Sequence, residues 1–267
     1  MGRNLYPRDA VVLGIISAMN EELAAIVACA SIERTVEIGG RRFHVGTLHG
    51  HAVVLVVSRI GKVAAASTAT ILLERFAVAQ IVFTGLAGAV AEHLRVGDIV
   101  IADTLIQHDL DARPLFARHE IPMLGVSELP THPVMRDDLH RAAVQFAAAP
   151  SAALIALGII QPTVYRGVVA SGDQFFSSVQ AIATLRRELP NVLAVEMEGA
   201  AVAQVCVEHN IPFAVVRVIS DTADHTAAVA FSEFLENACG MYAIGIVAPF
   251  LLHRRQLDAG VITSTAG

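Results

Sequence analysis

Phe213-Ala214-Val215-Val216-Arg217-Val218-Ile219-Ser220-Asp221 is the stretch that decides the fold. From Phe213 to Ile219 the run is apolar apart from Arg217, which is the pattern of a strand buried on both faces of a parallel sheet. Just upstream, Asn210 and Pro212 stop a helix and lead into the strand. Similar runs occur at Val11 to Ser17, Val53 to Ser58, Ile81 to Thr84, Val164 to Ala170 and Leu193 to Val195. Between them, Glu21 to Ala30, Lys62 to Phe76, Ser178 to Leu189 and Gly199 to His209 carry apolar residues at helical spacing, and Phe231 to Phe250 reads as one long closing helix. Alternation of this kind predicts an α/β single domain, a central mostly parallel or mixed sheet sandwiched by helices.

The domain is expected to span residues 11–252, after an extension over 1–10 and before a flexible tail over 253–267, frayed from Gln256. Leu105 to Pro133 lacks clean periodicity, holds four prolines and reads as a long loop with a functional or interface role. Of the 267 residues 54% are apolar and 16% charged, so much surface must be hidden in a core or between subunits, and an oligomer is expected. The net charge of -6 and the scattered basic residues argue against a nucleic-acid partner. Cys29, Cys206 and Cys239 are odd in number and far apart, which suits reduced thiols and a cytoplasmic location. The apolar run from Ala10 to Ala18 is too short to span a membrane, and no targeting signal is read.

In such sheets ligands bind beyond the carboxyl ends of strands, so polar residues that follow the runs come first. Asn20, Glu21 and Glu22 open a helix, where carboxylates complement the dipole, and one of the pair is also placed to act as a general base on water. Thr84 to Gly88 reads as a tight turn whose glycines let backbone approach a ligand. Glu196-Met197-Glu198 sets two carboxylates where a strand should be apolar, and a sugar diol would reward that burial. Arg217 needs a partner, with Glu22 or a bound water as candidates. Asp221 either caps a turn or points at a base nitrogen as a general acid. Phe175 and Phe176 either pack in the core or stack on a purine. His108-Asp109-Leu110-Asp111 holds metal-ligand types without a second cluster at a known spacing, so no metal and no cofactor is expected.

Four ordered segments resemble the 5′-methylthioadenosine/S-adenosylhomocysteine nucleosidases of the purine nucleoside phosphorylase family. They are Gly14 to Glu22, Ser171 to Phe175, Val195 to Glu198 and Val216 to Asp221. The resemblance covers about Val11 to Phe250 and implies a nucleoside phosphorylase-like fold and a small-molecule nucleoside substrate. It implies that Glu22 activates water with help from Arg217, that Met197 packs on the ribose and Glu198 holds its hydroxyls, and that Phe175 stacks on adenine beside the backbone of Phe176. Asp221, oriented by Ser220, would protonate N7. Gly88 would line the site and Phe231 would close over the 5′ substituent.

It also implies a homodimer in which the neighbour's 105–133 loop lines the 5′ pocket. Methylthioadenosine and adenosylhomocysteine are the expected substrates; aminodeoxyfutalosine and 5′-deoxyadenosine stay open. One departure is Leu86, which stands where the family generally has a serine near the nucleophile. Two rival readings are a phosphorylase, which would need donors for a phosphate dianion, and a non-catalytic adenine-nucleoside-binding protein.

Overall fold

The computed structural model describes residues 11–222 and 227–264, so the expected 1–10 extension lies outside the described residues. In chain order the elements are β1 (Leu13–Ser17), α1 (Asn20–Cys29), β2 (Ser31–Ile38), β3 (Arg41–Leu48), β4 (His51–Val57), α2 (Lys62–Phe76), β5 (Gln80–Ala89), β6 (Ile99–Gln107) and β7 (Glu128–Pro130). There follow α3 (Pro133–Ala147), α4 (Ala152–Ala156), β8 (Val164–Ser171), α5 (Val179–Glu188), β9 (Val192–Glu196), α6 (Gly199–Glu208), β10 (Phe213–Asp221), α7 (Ala227–Asn237) and α8 (Cys239–Ser264).

The strands form one mixed sheet, sandwiched by helices as expected. Its order is β10-β6-β8-β9-β5-β1-β4-β3-β2, and β10 also pairs with β5, so five strands close into a ring and the others extend from it. β5 makes the closure. Its first half lies parallel to β1 and its length from Ile81 to Gly88 lies parallel to β10, while on the side vacated by β1 Gly88 and Ala89 pair antiparallel with Val195 and Ala194 of β9. Thr84 to Gly88 is therefore strand and not the turn read from sequence; its small residues let β5 bend from one neighbour to the next.

Two apolar layers cover the sheet. On one face α2 packs with α6 over Ile16, Val54, Leu72, Phe83 and Val215. On the other α8 packs with α1 and α3 over Ile15, Leu55, Val216, Ile246 and Phe250. The odd and even residues of β1 thus serve opposite layers, as the pleat requires.

Several expectations are corrected. The closing helix is two helices, α7 and α8, bent by 54° about Ala238, because Phe234, Ala238, Cys239 and Tyr242 all turn inward at the break. α8 runs through Ser264, into the segment expected to fray. The long loop shrinks to residues 108–127, since β6 continues to Gln107 and β7 pairs back on its Thr104–Ile106. The strands β2, β3, β6 and β7 escaped the reading: β2 is a largely exposed edge whose half-buried positions Ile32, Val36 and Ile38 alternate with polar residues but are broken at the bulge by Arg34, and Asp103-Thr104 interrupts the apolar run of β6.

Phe250 is fully buried on α8 against the layer that supports α1. Phe250→Ala is expected to cost about 3–5 kcal/mol, read from the urea unfolding midpoint; a loss under about 1 kcal/mol would show that this layer is slack.

Candidate active site

A cleft with about 650 Å³ of space, part of it open to solvent, lies at the carboxyl ends of β1, β9 and β10. Glu22 reaches it from the first turn of α1. Its Oε2 accepts from the backbone N–H of Ala18 at 2.8 Å and of Met19 at 2.9 Å, and its Oε1 from that of Leu86 at 3.0 Å. The carboxylate thereby answers orphan donors at its own helix terminus and one on β5. Burial pushes the Glu22 carboxyl above its ordinary value, and the nearby Arg217 charge and the three backbone donors pull against that rise. A carboxylate so placed is a stronger base once ionised.

Arg217, on β10, is buried behind the cleft rather than in it. Its guanidinium lies 4.0 Å from the centre of the Phe83 ring and donates to Glu196 Oε2 through Nη2 at 2.6 Å and Nε at 3.2 Å. Glu196 is thus the partner, and not the Glu22 or water proposed from sequence. The same carboxylate accepts from the backbone N–H of Gly199 at 2.9 and 2.8 Å, from that of Glu198 at 3.1 Å and from the Ser171 hydroxyl. Its neighbour Glu198 lines the cleft and accepts from the Gly61 N–H at 2.8 Å. Gly85 leaves room for the charges: a Cβ there would meet Glu22 Oε1 at 2.9 Å and Arg217 Nη1 at 3.0 Å.

Opposite Gly88 in register, β10 bulges between Ile219 and Asp221, so that both Ser220 and Asp221 line the cleft. The Ser220 hydroxyl donates to Asp221 Oδ2 at 2.7 Å. Exposed Phe175 meets Phe231 of α7 edge to face at 5.8 Å, and buried Phe176 meets His108 likewise at 5.2 Å. Met197 completes the wall.

The sequence profile described as the phosphorylase superfamily matches residues 12–251. A 5′-methylthioadenosine/S-adenosylhomocysteine nucleosidase of Anoxybacillus flavithermus is 38% identical over 85% of this chain and 92% of its own length. The chain belongs to the phosphorylase superfamily. Within the superfamily it belongs with these nucleosidases. Solved nucleosidase structures agree: that of Streptococcus pneumoniae with the transition-state inhibitor MT-ImmA is 35% identical with a TM-score of 0.79, covering 90% of this chain and 98% of that one. The Neisseria meningitidis enzyme in complex with methylthio-immucillin-A is 32% identical with a TM-score of 0.82 over the same shares.

In this superfamily member, nine of the ten residues given a site role from sequence line the cleft, namely Glu22, Gly88, Phe175, Phe176, Met197, Glu198, Ser220, Asp221 and Phe231; Arg217 does not, while Glu196 and Leu86 also line it. Sequence reasoning missed the bond from Gly61, the wall residues Ile60 and Gln174, and the place of Glu196 as the partner of Arg217. Glu196 had a signal, since an arginine and a carboxylate both sat inside apolar strand runs. Gly61 had none, because its backbone, not its side chain, makes the contact.

Glu198 is driven up to about 8, first by burial and then by the charge of Glu196. A carboxyl held above its unfolded value binds its proton more tightly in the folded state. The stability it confers is full below the unfolded value near 4.5 and is lost as pH rises through about 8. Raising pH from about 5.5 to about 8.5 is therefore expected to lower Tm, and Glu198→Gln to reduce that fall; an unchanged slope would remove Glu198 as its source. Arg217→Met, which strands Glu196 as a buried charge, is expected to cost about 3–5 kcal/mol by denaturant unfolding, and a loss below about 1 kcal/mol would contradict the pairing.

Proposed function

We propose that the chain hydrolyses the N-glycosidic bond of 5′-substituted adenosines, 5′-methylthioadenosine and S-adenosylhomocysteine, releasing adenine. The observation that carries this is the meeting of two buried carboxylates, Glu22 from α1 and Asp221 from β10, in one cleft. Glycosidic cleavage passes through an oxocarbenium-like state and calls for one group acting on water and one on the leaving group. Glu22 takes a proton from the water whose oxygen joins C1′. Asp221 gives a proton to N7 as the bond to N9 breaks, so adenine departs neutral, and the Ser220 hydroxyl supports the carboxylate left behind. Each such transfer contributes roughly 10² to 10⁴-fold.

Glu198 accepts the ribose hydroxyls, Met197 packs on the sugar, Phe175 and the Phe176 backbone take the base beside Gly88, and Phe231 covers the 5′ group. Arg217 supports this from behind by holding Glu196 and by its charge near Glu22. The pneumococcal and meningococcal relatives, both named as 5′-methylthioadenosine/S-adenosylhomocysteine nucleosidases, support this reading. Phosphorolysis fits poorly. Among the described residues lining the cleft there is no lysine or arginine, four are carboxylates, and Leu86 offers a side chain without a hydroxyl.

The proposal includes a homodimer whose partner loop over 108–127 borders the 5′ group, supported by the exposed Leu115 and Met123 of that loop. It includes a cytoplasmic location, supported by three cysteines of which none is paired.

Adenine release from 5′-methylthioadenosine is expected to proceed in phosphate-free buffer and to be unchanged by phosphate; formation of a ribose 1-phosphate product would overturn hydrolysis. Asp221→Asn is expected to lower kcat by at least about 10²-fold, and Glu22→Gln to bind substrate without turning it over. Near-normal rates in either variant would sink that assignment.

A further inference from the structure

The outer edge of the cleft is fastened by three residues that do not line it. Lys62 Nζ donates to Asp109 Oδ1 at 2.6 Å, the backbone N–H of Asp173 donates to Asp109 Oδ2 at 2.9 Å, and the backbone N–H of Lys62 donates to Asp173 Oδ1 at 2.8 Å. The three bonds close a ring. It ties together the entry to α2, the segment after β6 and the segment after β8. Gln107 extends it inward, accepting a second bond from Lys62 Nζ at 3.0 Å and donating to Gln204 of α6 at 2.8 Å.

Two of the joined segments carry cleft residues next to the ring. Gly61, adjacent to Lys62, donates its N–H to Glu198, and Ile60 precedes it; Gln174, Phe175 and Phe176 follow Asp173. Gly61 has φ +99°, and a Cβ there would stand 3.2 Å from Asp173 Oδ1. Its N–H therefore has to be aimed by what grips the neighbouring residue. A lone surface ion pair is worth little, but a closed ring fixes two segments at once, and both Lys62 and Asp109 are less than one-third exposed.

We propose that Asp109 is a positioning residue for the ribose subsite: through Lys62 and Asp173 it holds the Gly61 N–H on Glu198 and keeps that carboxyl turned toward the sugar hydroxyls. The inference rests on the reading of Glu198 as the ribose-holding group. Because Asp109 touches neither Glu22 nor Asp221, its loss weakens binding of the sugar in ground and transition state alike, which raises KM and leaves kcat in place. The effect belongs to the hydroxyls. A substrate without them has nothing to lose.

The test measures kcat, KM and Tm of the full chain and its Asp109→Asn, Lys62→Met and Glu198→Gln variants with 5′-methylthioadenosine and with its 2′,3′-dideoxy analogue. Asp109→Asn and Lys62→Met are each expected to raise KM for 5′-methylthioadenosine about tenfold, with kcat within about twofold and Tm within a few degrees. With the dideoxy analogue the rise should shrink below about twofold, and the double variant should be no worse than either single one. Equal rises for both substrates would make the ring a general scaffold and overturn the proposal, as would an unchanged KM in both variants. If Glu198→Gln raises KM while the ring variants do not, the ribose reading stands and the ring falls. If Glu198→Gln leaves KM unchanged, the ribose reading itself fails.

Discussion

The contact between Arg217 and Glu196 is the interaction around which the site is arranged. It joins β10 to β9, two strands that share no ladder, across the inside of a closed ring of strands. Buried charges survive only when paired and fully hydrogen-bonded, and Glu196 meets that demand with the guanidinium, the start of α6 and the Ser171 hydroxyl. Because those donors come from three elements, satisfying one carboxylate sets the mutual position of β8, β9 and β10. The cleft inherits its shape from that requirement.

The same pair shapes the electrostatics in front of it. With its hydrogen bonds directed at Glu196, Arg217 reaches Glu22 as a field rather than a partner, so burial dominates there and the carboxyl is left with backbone donors alone. Glu198 stands on the far side of Glu196 and feels its charge directly. One arginine thus lies close to three acids and neutralises one. The cleft keeps an acidic lining that an uncharged nucleoside tolerates and an incoming anion does not.

Much of this was legible in the chain before any coordinates. Buried parallel strands announce themselves by apolar runs, and charges inside such runs, as at Arg217 and Glu196, mark a site because solvation forbids them otherwise. Glu22 and Asp221 could be placed because strand ends are where a sheet presents its ligands. What stayed hidden depends on partners distant in sequence. The closure of the ring through β5 turns on Gly88 and Ala89, at the end of the Thr84 to Gly88 stretch that looks like a turn when read locally. The period of the half-exposed β2 is broken at Arg34, where a bulge shifts its register, and the bend at Ala238 comes from which residues the layer beneath can accept. The Gly61 bond is made by backbone, on which side-chain patterns are silent.

The ring of strands has a consequence for how such a chain can change over generations. Ser220, Asp221 and Gly88 sit on strands hydrogen-bonded on both sides, and Glu22 is clamped to one of them. Phe231 belongs instead to α7, outside the ladders. Drift in that helix can reshape the space beside it while the strands that carry Gly88, Ser220 and Asp221 are inherited intact. Selection for a new nucleoside therefore acts on a part of the molecule that is free to vary, and lineages can part in diet before they part in chemistry.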